Sequence, residues 1–258
     1  MSVAVATSPA RRVWVLGCPV DAVTLDQALN RVDEAVTTRT GIQHVAINAA
    51  KVVSLQHDDD LRQAVEGCEL ITADGQAVVW AAGILGQALP ERVAGIDLMT
   101  GILERAPALG YRIYLLGATE EVVSTVAERI SEQYSGVELV GWRDGYFGQD
   151  EEPAVAAAIR DARADVLFVA LTTPKKEIFL ARWRETLQVP FVMGVGGSFD
   201  VIAGKRRRAP RVVQRLGMEW AYRLVQDPRH LFKRYAVGNT VFSWLVARAA
   251  LRRAVGGA

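Results

Sequence analysis

Apolar residues recur along this chain in two rhythms. Between Thr24 and Val36, Leu25, Ala28, Leu29, Val32 and Val36 fall three and four apart, which predicts an amphipathic helix. Thr24, with Gln27 three residues on, supplies the capping box that satisfies orphan amides at its start. Short unbroken apolar runs alternate with such stretches. Residues 44–48, 69–74, 112–117, 165–172 and 191–196 read as strands. Helices are expected from about Ala50, through Val78 to Leu85, and from a Thr119 cap through Val122, Val126 and Ile130. The run at 165–172, DVLFVALT, is apolar almost throughout, as a central parallel strand covered on both faces must be. The alternation over 13–200 predicts an α/β fold, a Rossmann-like, mostly parallel sheet with helices on both faces.

Sheets of this kind bind ligands beyond the carboxyl ends of their strands. The residues expected there are Asn48, Asp74, Gly117, Thr173, Pro174, Gly196, Gly197 and Ser198. Glycine at two of these strand ends permits close backbone approach to a phosphate ahead of a helix N-terminus. Asp74, ending an apolar strand and followed by Gly75, can serve as a general base or cap the next helix. Asn48 can bond a sugar hydroxyl or cap a helix. Arg92 can hold a phosphate bidentately or be a solvated loop arginine. Asp97 reads as a helix N-cap. Asp58, Asp59 and Asp60 contain the D-x-D pattern of metal-dependent sugar transfer, but they follow a helical run and read as a solvated acidic turn.

After Asp200 the pattern changes. Trp220, Leu224, Leu231, Phe232, Tyr235, Phe242, Trp244 and Leu245 are interleaved with basic residues, which predicts two or three short amphipathic helices broken near Pro210 and Pro228. The chain divides into a core, 1–204, and a basic appendage, 205–258. From Lys205 onward thirteen basic residues face only two acids, a net of +11; the whole chain carries +1, so the first 204 residues carry −10. A cationic tail on an acidic body implies a polyanionic partner. Beside an anionic bilayer each basic residue contributes up to about 1 kcal/mol, and Trp and Tyr favour the interface.

Other features narrow the class. Half of the 258 residues are apolar, enough for one sizeable core. No stretch reaches the roughly 18 uncharged apolar residues of a transmembrane helix, and 1–12 lack the apolar region of a signal peptide. Cys18 and Cys68 have no metal spacing and read as buried thiols in a reducing cytosol; His44, His57 and His230 form no HExxH. A nucleotide-sugar oxidoreductase or epimerase is an alternative, but GxGxxG and Tyr-x-x-x-Lys are both missing. A nucleic-acid-binding protein using the basic tail is another, with steeply salt-dependent affinity.

Several ordered motifs carry more information together than apart. They are Asn48 in Ala46-Ile47-Asn48, Asp74-Gly75, Arg92-Val93-Ala94-Gly95-Ile96-Asp97, Leu115-Leu116-Gly117, Gly145-Tyr146-Phe147 and Pro174-Lys175-Lys176-Glu177. Further on stand Gly194-Val195-Gly196 with Phe199-Asp200, Arg208-Ala209-Pro210, Gly217-Met218-Glu219-Trp220, Arg223, Pro228 and Arg234-Tyr235. From about Val15 to Phe242 the chain resembles the WecG/TagA/CpsF family of bacterial glycosyltransferases.

The resemblance implies inverting transfer without metal or other cofactor. The implied donor is a UDP sugar, notably UDP-N-acetylmannosamine or a related hexose. The implied acceptor is a saccharide on undecaprenyl diphosphate, at the inner face of the cell membrane. It makes Asp74 the base and sets Asn48 against the sugar. Ala46, Gly75, Arg92, Gly117, Thr173, Lys176, Gly196, Gly197 and Asp200 are expected around the substrates. Arg208, Arg215, Arg223 and Arg229 are expected to stabilise the departing diphosphate, with the tail docked on the membrane and no nucleic-acid partner. Self-association would cover the apolar tail face away from the membrane. Two positions depart from the family pattern: Ala46 stands where many members have Thr, and Lys176 where many have Gln. A cation at 176 suggests an acidic donor sugar such as a uronic acid.

Overall fold

The computed structural model describes residues 11–215, 217–226 and 228–256; the side chains at 211, 215, 223, 228–237 and 256 lie outside that description. The chain opens with an antiparallel hairpin, β1 (Arg12–Val15) and β2 (Cys18–Asp21). There follow α1 (Leu25–Thr38), β3 (Ile42–Ile47), α2 (Ala49–Ser54), α3 (Asp59–Glu66), β4 (Leu70–Ala73), α4 (Gln76–Ile84) and α5 (Gly95–Leu109). The second half adds β5 (Arg112–Gly117), α6 (Glu120–Gln133), β6 (Glu138–Arg143), α7 (Glu152–Asp161), β7 (Val166–Ala170), α8 (Lys175–Leu187), β8 (Phe191–Gly194) and α9 (Ser198–Ile202). The tail forms α10 (Arg211–Arg215), α11 (Glu219–Gln226) and α12 (Pro228–Gly256).

Six strands form a parallel sheet in the order β4-β3-β8-β7-β5-β6, so the Rossmann-like α/β arrangement expected from the sequence is present. Alternate strand residues face opposite layers, as the two-residue strand period requires. Ile113, Leu115, Val166, Phe168, Phe191 and Met193 join a core with α1, α5 and α6. Tyr114, Leu116, Leu167, Val169 and Val192 face α7 and α8 on the other side. There Val45, Ile47, Ile71 and Ala73 pack with α2, α3, α4 and the hairpin. The expected caps are formed: Thr24 and Gln27 close a capping box on α1, and Thr119 accepts from Val122 N at 3.3 Å. Cys18 and Cys68 are buried free thiols, and burial pushes both up to about 12, which leaves them unreactive.

The hairpin shields the β4 edge. Asp21, only 4% exposed, accepts from Ile71 N at 2.9 Å and pairs with Arg12 at 2.8 Å, so an edge amide gains a partner inside the molecule. The tail differs from its sequence reading. The breaks at Pro210 and Pro228 are there, but the chain beyond Pro228 is a 29-residue helix rather than short pieces. Gly238, Phe242 and Val246, four apart, explain why: Gly238 abuts Ala50 of α2, while Phe242 and Val246 are buried in the core beside α2 and α4. Among the described residues no helix is long and apolar enough to cross a membrane.

Candidate active site

Two clusters of polar side chains lie at the carboxyl edge of the sheet. The first is built where β3 and β4 end side by side. Asp74 N donates to Ile47 O at 2.9 Å and Gly75 N to the same oxygen at 3.4 Å, which brings the Asp74-Gly75 turn against Asn48. A Cβ on Gly75 would lie 3.5 Å from Asn48 Cα and Cβ, ordinary contact, so Gly75 is not forced here by crowding. Asn48 caps α2 through Lys51 N, 3.0 Å from its Oδ1. The cap uses the carbonyl oxygen and leaves the amide Nδ2 to donate elsewhere.

Asp74 does not cap the helix that follows it; Gly75 holds the N-cap position of α4, with no side-chain cap bond. Its carboxylate instead accepts from Gly95 N, the first residue of α5, at 3.3 Å. Arg92 closes this loop from the other side, its Nη1 donating to Asp74 O at 3.4 Å. The guanidinium is also paired with Glu219 of α11 at 2.9 Å and with Asp97 at 3.7 Å. Asp97 is not the N-cap the sequence suggested. Ala94 holds that position without a side-chain bond, and Asp97 in the first turn of α5 pairs with Arg208 at 2.5 Å. The arginine-rich tail thus reaches the core through Arg92–Glu219 and Arg208–Asp97. Ala46 lies just beneath, its Cβ 3.9 Å from where a Gly95 Cβ would stand.

The second cluster joins β7, β8, α2 and α8. Lys176 and Glu177, in the first turn of α8, are buried. Glu177 Oε1 receives Lys51 Nζ at 2.8 Å, Lys176 Nζ at 3.4 Å and the Thr173 hydroxyl at 3.3 Å. Lys176 lies across β8 at Gly194, where a Cβ would come within 2.5 Å of its Cε, so a side chain there would displace the buried lysine. Burial alone would raise the Glu177 carboxyl, but the two ammonium groups outweigh it and hold it below the usual carboxylate range. Burial and the Lys51 charge lower the Lys176 ammonium, partly offset by Glu177.

His44, 1% exposed, sits on β3 with Nε2 2.9 Å from the Thr72 hydroxyl, and its Nδ1 has no partner among the described residues. Burial, then Lys51 and Lys176, push it down to about 3. It stays neutral in the folded protein where an unfolded histidine, near 6.5, takes up a proton. The folded pKa lies below the unfolded one, so the unfolded state binds more protons at mildly acid pH. Stability should therefore fall as pH drops from about 6.5 towards 3, by up to about 1.4 kcal/mol per unit from this group. Urea unfolding of His44→Gln against the parent across that window reads the effect: equal pH slopes would discount it.

The remaining expected residues are more dispersed. Gly117 is buried at the end of β5 with φ +115°, and a Cβ there would meet Ala170 backbone at 2.6 Å, so strand packing accounts for this glycine. Thr173, Gly196 and Gly197 are exposed on the loops after β7 and β8. Asp200 in α9 lies 3.8 Å from Arg206. Arg215, Arg223 and Arg229 belong to α10, α11 and α12, but their side chains lie outside the described residues. Asp58 caps α3 through Leu61 N, and Asp59 is solvent-facing in its first turn. Lys51 and Glu219 were not expected at the site. Lys51 is the amide capped by Asn48, a relation the sequence spacing carried; Glu219 is joined to Arg92 only by the fold.

Fold and candidate site together define a Rossmann-like α/β protein with a cluster of polar side chains at the carboxyl edge of its parallel sheet, where such sheets bind their ligands. The model of the glycosyl transferase WecG/TagA/CpsF family matches residues 13–256, and the chain belongs to that family. It is a glycosyltransferase of cell-surface polysaccharide synthesis, and its family uses a nucleotide-sugar donor and a lipid-linked acceptor.

Proposed function

We propose that the protein moves a sugar from a UDP donor, UDP-N-acetylmannosamine or a related UDP-hexose or uronic acid, to a saccharide on undecaprenyl diphosphate, with inversion and without metal or cofactor. The observation that carries this reading is the joining of Asp74, Asn48 and Arg92 at one strand edge, within reach of the basic tail. The acceptor hydroxyl loses its proton to the Asp74 carboxylate as its oxygen bonds to the anomeric carbon. The bond from that carbon to the UDP oxygen breaks on the opposite face, and the pair of electrons leaves with UDP. Charge growing on the diphosphate meets Arg92 and the tail arginines Arg208, Arg215, Arg223 and Arg229, which fixed cations do most effectively in a water-poor site. Asn48 Nδ2 donates to the sugar. Ala46, Gly75, Thr173, Lys176, Gly196, Gly197 and Asp200 line its surroundings, and Gly117 keeps the neighbouring strand end in place.

The tail docks the enzyme on the inner face of the membrane. Its exposed Val212, Met218, Trp220, Val225 and Trp244 stand among basic residues, the pairing that favours an anionic interface. Self-association is a second way to cover these side chains. Lys176 and Ala46 set the donor preference: two buried ammonium groups share one carboxylate, leaving one excess positive charge to favour an acidic sugar.

The test is turnover of a panel of neutral and acidic UDP sugars with a short-chain lipid diphospho-N-acetylglucosamine acceptor, with and without EDTA. Transfer from one donor that EDTA does not affect supports the reading. Loss with EDTA refutes the metal-free step. Lys176→Gln with Ala46→Thr should move preference towards neutral UDP-hexosamines, and an unchanged donor profile would refute the role given to these two positions.

A further inference from the structure

Arg92 is already occupied from within the molecule. Its Nη1 donates to Glu219 Oε2 at 2.9 Å and to Asp74 O at 3.4 Å, which accounts for both hydrogens of that nitrogen. Nη2 lies 3.7 Å from Asp97 Oδ2, and Asp97 in turn accepts from Arg208 at 2.5 Å. Glu219, Arg92, Asp97 and Arg208 form a row of alternating charges with no net charge. A phosphate takes an arginine best through two parallel N–H bonds. At the Nη1 end of this guanidinium the Glu219 carboxylate fills the place of a phosphate oxygen. The Arg92 and Glu219 side chains are 14% and 13% exposed, so solvent ions screen the contact little.

The carboxylate comes from an element of the tail. α11 packs on α10 and α12. From Lys205 onward thirteen basic residues stand with two acids, and one of those two acids sits on Arg92. α11 also carries Trp220 and Val225, 39% and 81% exposed, with Met218 just ahead of it at 44%. One short helix therefore holds a core arginine by one residue and offers apolar side chains outward by others, within a strongly cationic segment. Apolar side chains among basic residues match an anionic bilayer surface.

We propose that Glu219 is a built-in competitor of the donor diphosphate: it closes Arg92 while α11 lies against the core, and it withdraws when α11 beds its apolar side chains in an anionic membrane surface. This rests on the places given to Arg92 and to the tail in the proposed function. With Glu219 withdrawn, the rest of the row carries one net positive charge, and Arg92 regains a donor for the diphosphate. The linkage runs both ways. The membrane must tighten UDP binding by the same factor by which UDP tightens membrane association. The enzyme then holds its donor weakly away from the membrane and firmly at the surface where a lipid-linked acceptor lies.

The experiment uses the full chain and Glu219→Gln, which keeps the shape of the side chain and removes its charge, with thermal unfolding to verify the fold. UDP is titrated by calorimetry with and without phosphatidylglycerol vesicles. Without vesicles the variant should bind UDP roughly tenfold more tightly than the parent, the equivalent of one charge-assisted hydrogen bond returned to the ligand. Vesicles should tighten UDP binding to the parent by a similar factor and to the variant by little. Sedimentation of the parent with vesicles should show the reciprocal gain when UDP is saturating. Weaker UDP binding by the variant overturns the proposal, because Glu219 would then orient Arg92 for the donor. Equal affinities overturn it too, and so does a parent whose UDP affinity is the same with and without vesicles. Arg92→Gln separates the two readings. If it binds UDP as the parent does, Arg92 holds no diphosphate, and its role in the proposed function fails together with the competition. If it binds UDP more weakly while Glu219→Gln gains nothing, the competition alone fails.

Discussion

Asp74→Asn should lower kcat by about 10²–10⁴-fold, the usual contribution of a positioned general base, while leaving UDP affinity and fold almost untouched. The structure explains the expected separation. The asparagine side chain keeps an oxygen for Gly95 N, and Arg92 reaches the backbone carbonyl at this position rather than the carboxylate. Three measurements check this: steady-state turnover, UDP titration and urea unfolding, the last expected within about 0.5 kcal/mol of the parent. Near-normal turnover would remove Asp74 as the base. A loss of stability would instead mean that the carboxylate holds α5 in place, and that any activity loss is indirect.

Glu177→Gln should be the most damaging change to stability. Glu177 is the shared counterion of Lys51 and Lys176, and all three side chains are less than a tenth exposed. Removing one partner from a buried ion pair costs about 3–5 kcal/mol, because the remaining charge is left uncompensated. Domains have only about 5–15 kcal/mol in total, so the variant should be marginally folded. Replacing the whole set, Lys51→Met, Lys176→Met and Glu177→Leu, should recover much of the loss, since apolar residues often substitute for buried ions without penalty. The pH dependence has a defined sign. The lysines hold the folded Glu177 carboxyl below its unfolded value, so its contribution is complete above the unfolded pKa and disappears as pH falls through the folded one. Equal urea midpoints for Glu177→Gln and the parent at pH 7 would show that the pair is not load-carrying in solution.

The parts of the fold that were legible in the sequence are those with strong local patterns. The strand at 112–117 matches β5 in full, and the Thr24 and Thr119 caps sit where their spacing placed them. Hydrophobic runs buried on both faces, such as Val166–Ala170, announce a central strand because no other element needs that pattern. The hairpin β1–β2 gave little local signal: its strands are four residues each, with Pro19 in the second. β6 is an edge strand of mostly half-exposed residues and lacks a distinguishing run. Within the candidate site, the placement of Asn48 and Asp74 just after strands was readable because they follow apolar runs. Their partners were not, because ion pairs such as Arg92–Glu219, Arg208–Asp97 and Lys51–Glu177 connect residues more than a hundred apart in sequence. Long-range charge pairing leaves no periodic trace, and only the fold reveals that the tail arginines meet acids of the core.

The position of β8 has a consequence for how the chain folds. It is the last strand to be made, yet it lies between β3 and β7 in the sheet. Until residues 191–194 leave the ribosome, the strands on its two sides have no bridge, and β3 and β7 each present an unpaired backbone edge. About 150 residues separate β3 from β8, roughly 7–30 s of synthesis at bacterial or eukaryotic rates of about 5–20 residues per second. During that interval the β3 edge stands open to pairing with other chains, joined by the β7 edge once residues 166–170 have been made. Slow release and chaperone cover should therefore improve the yield of active enzyme more than any change to the finished surface.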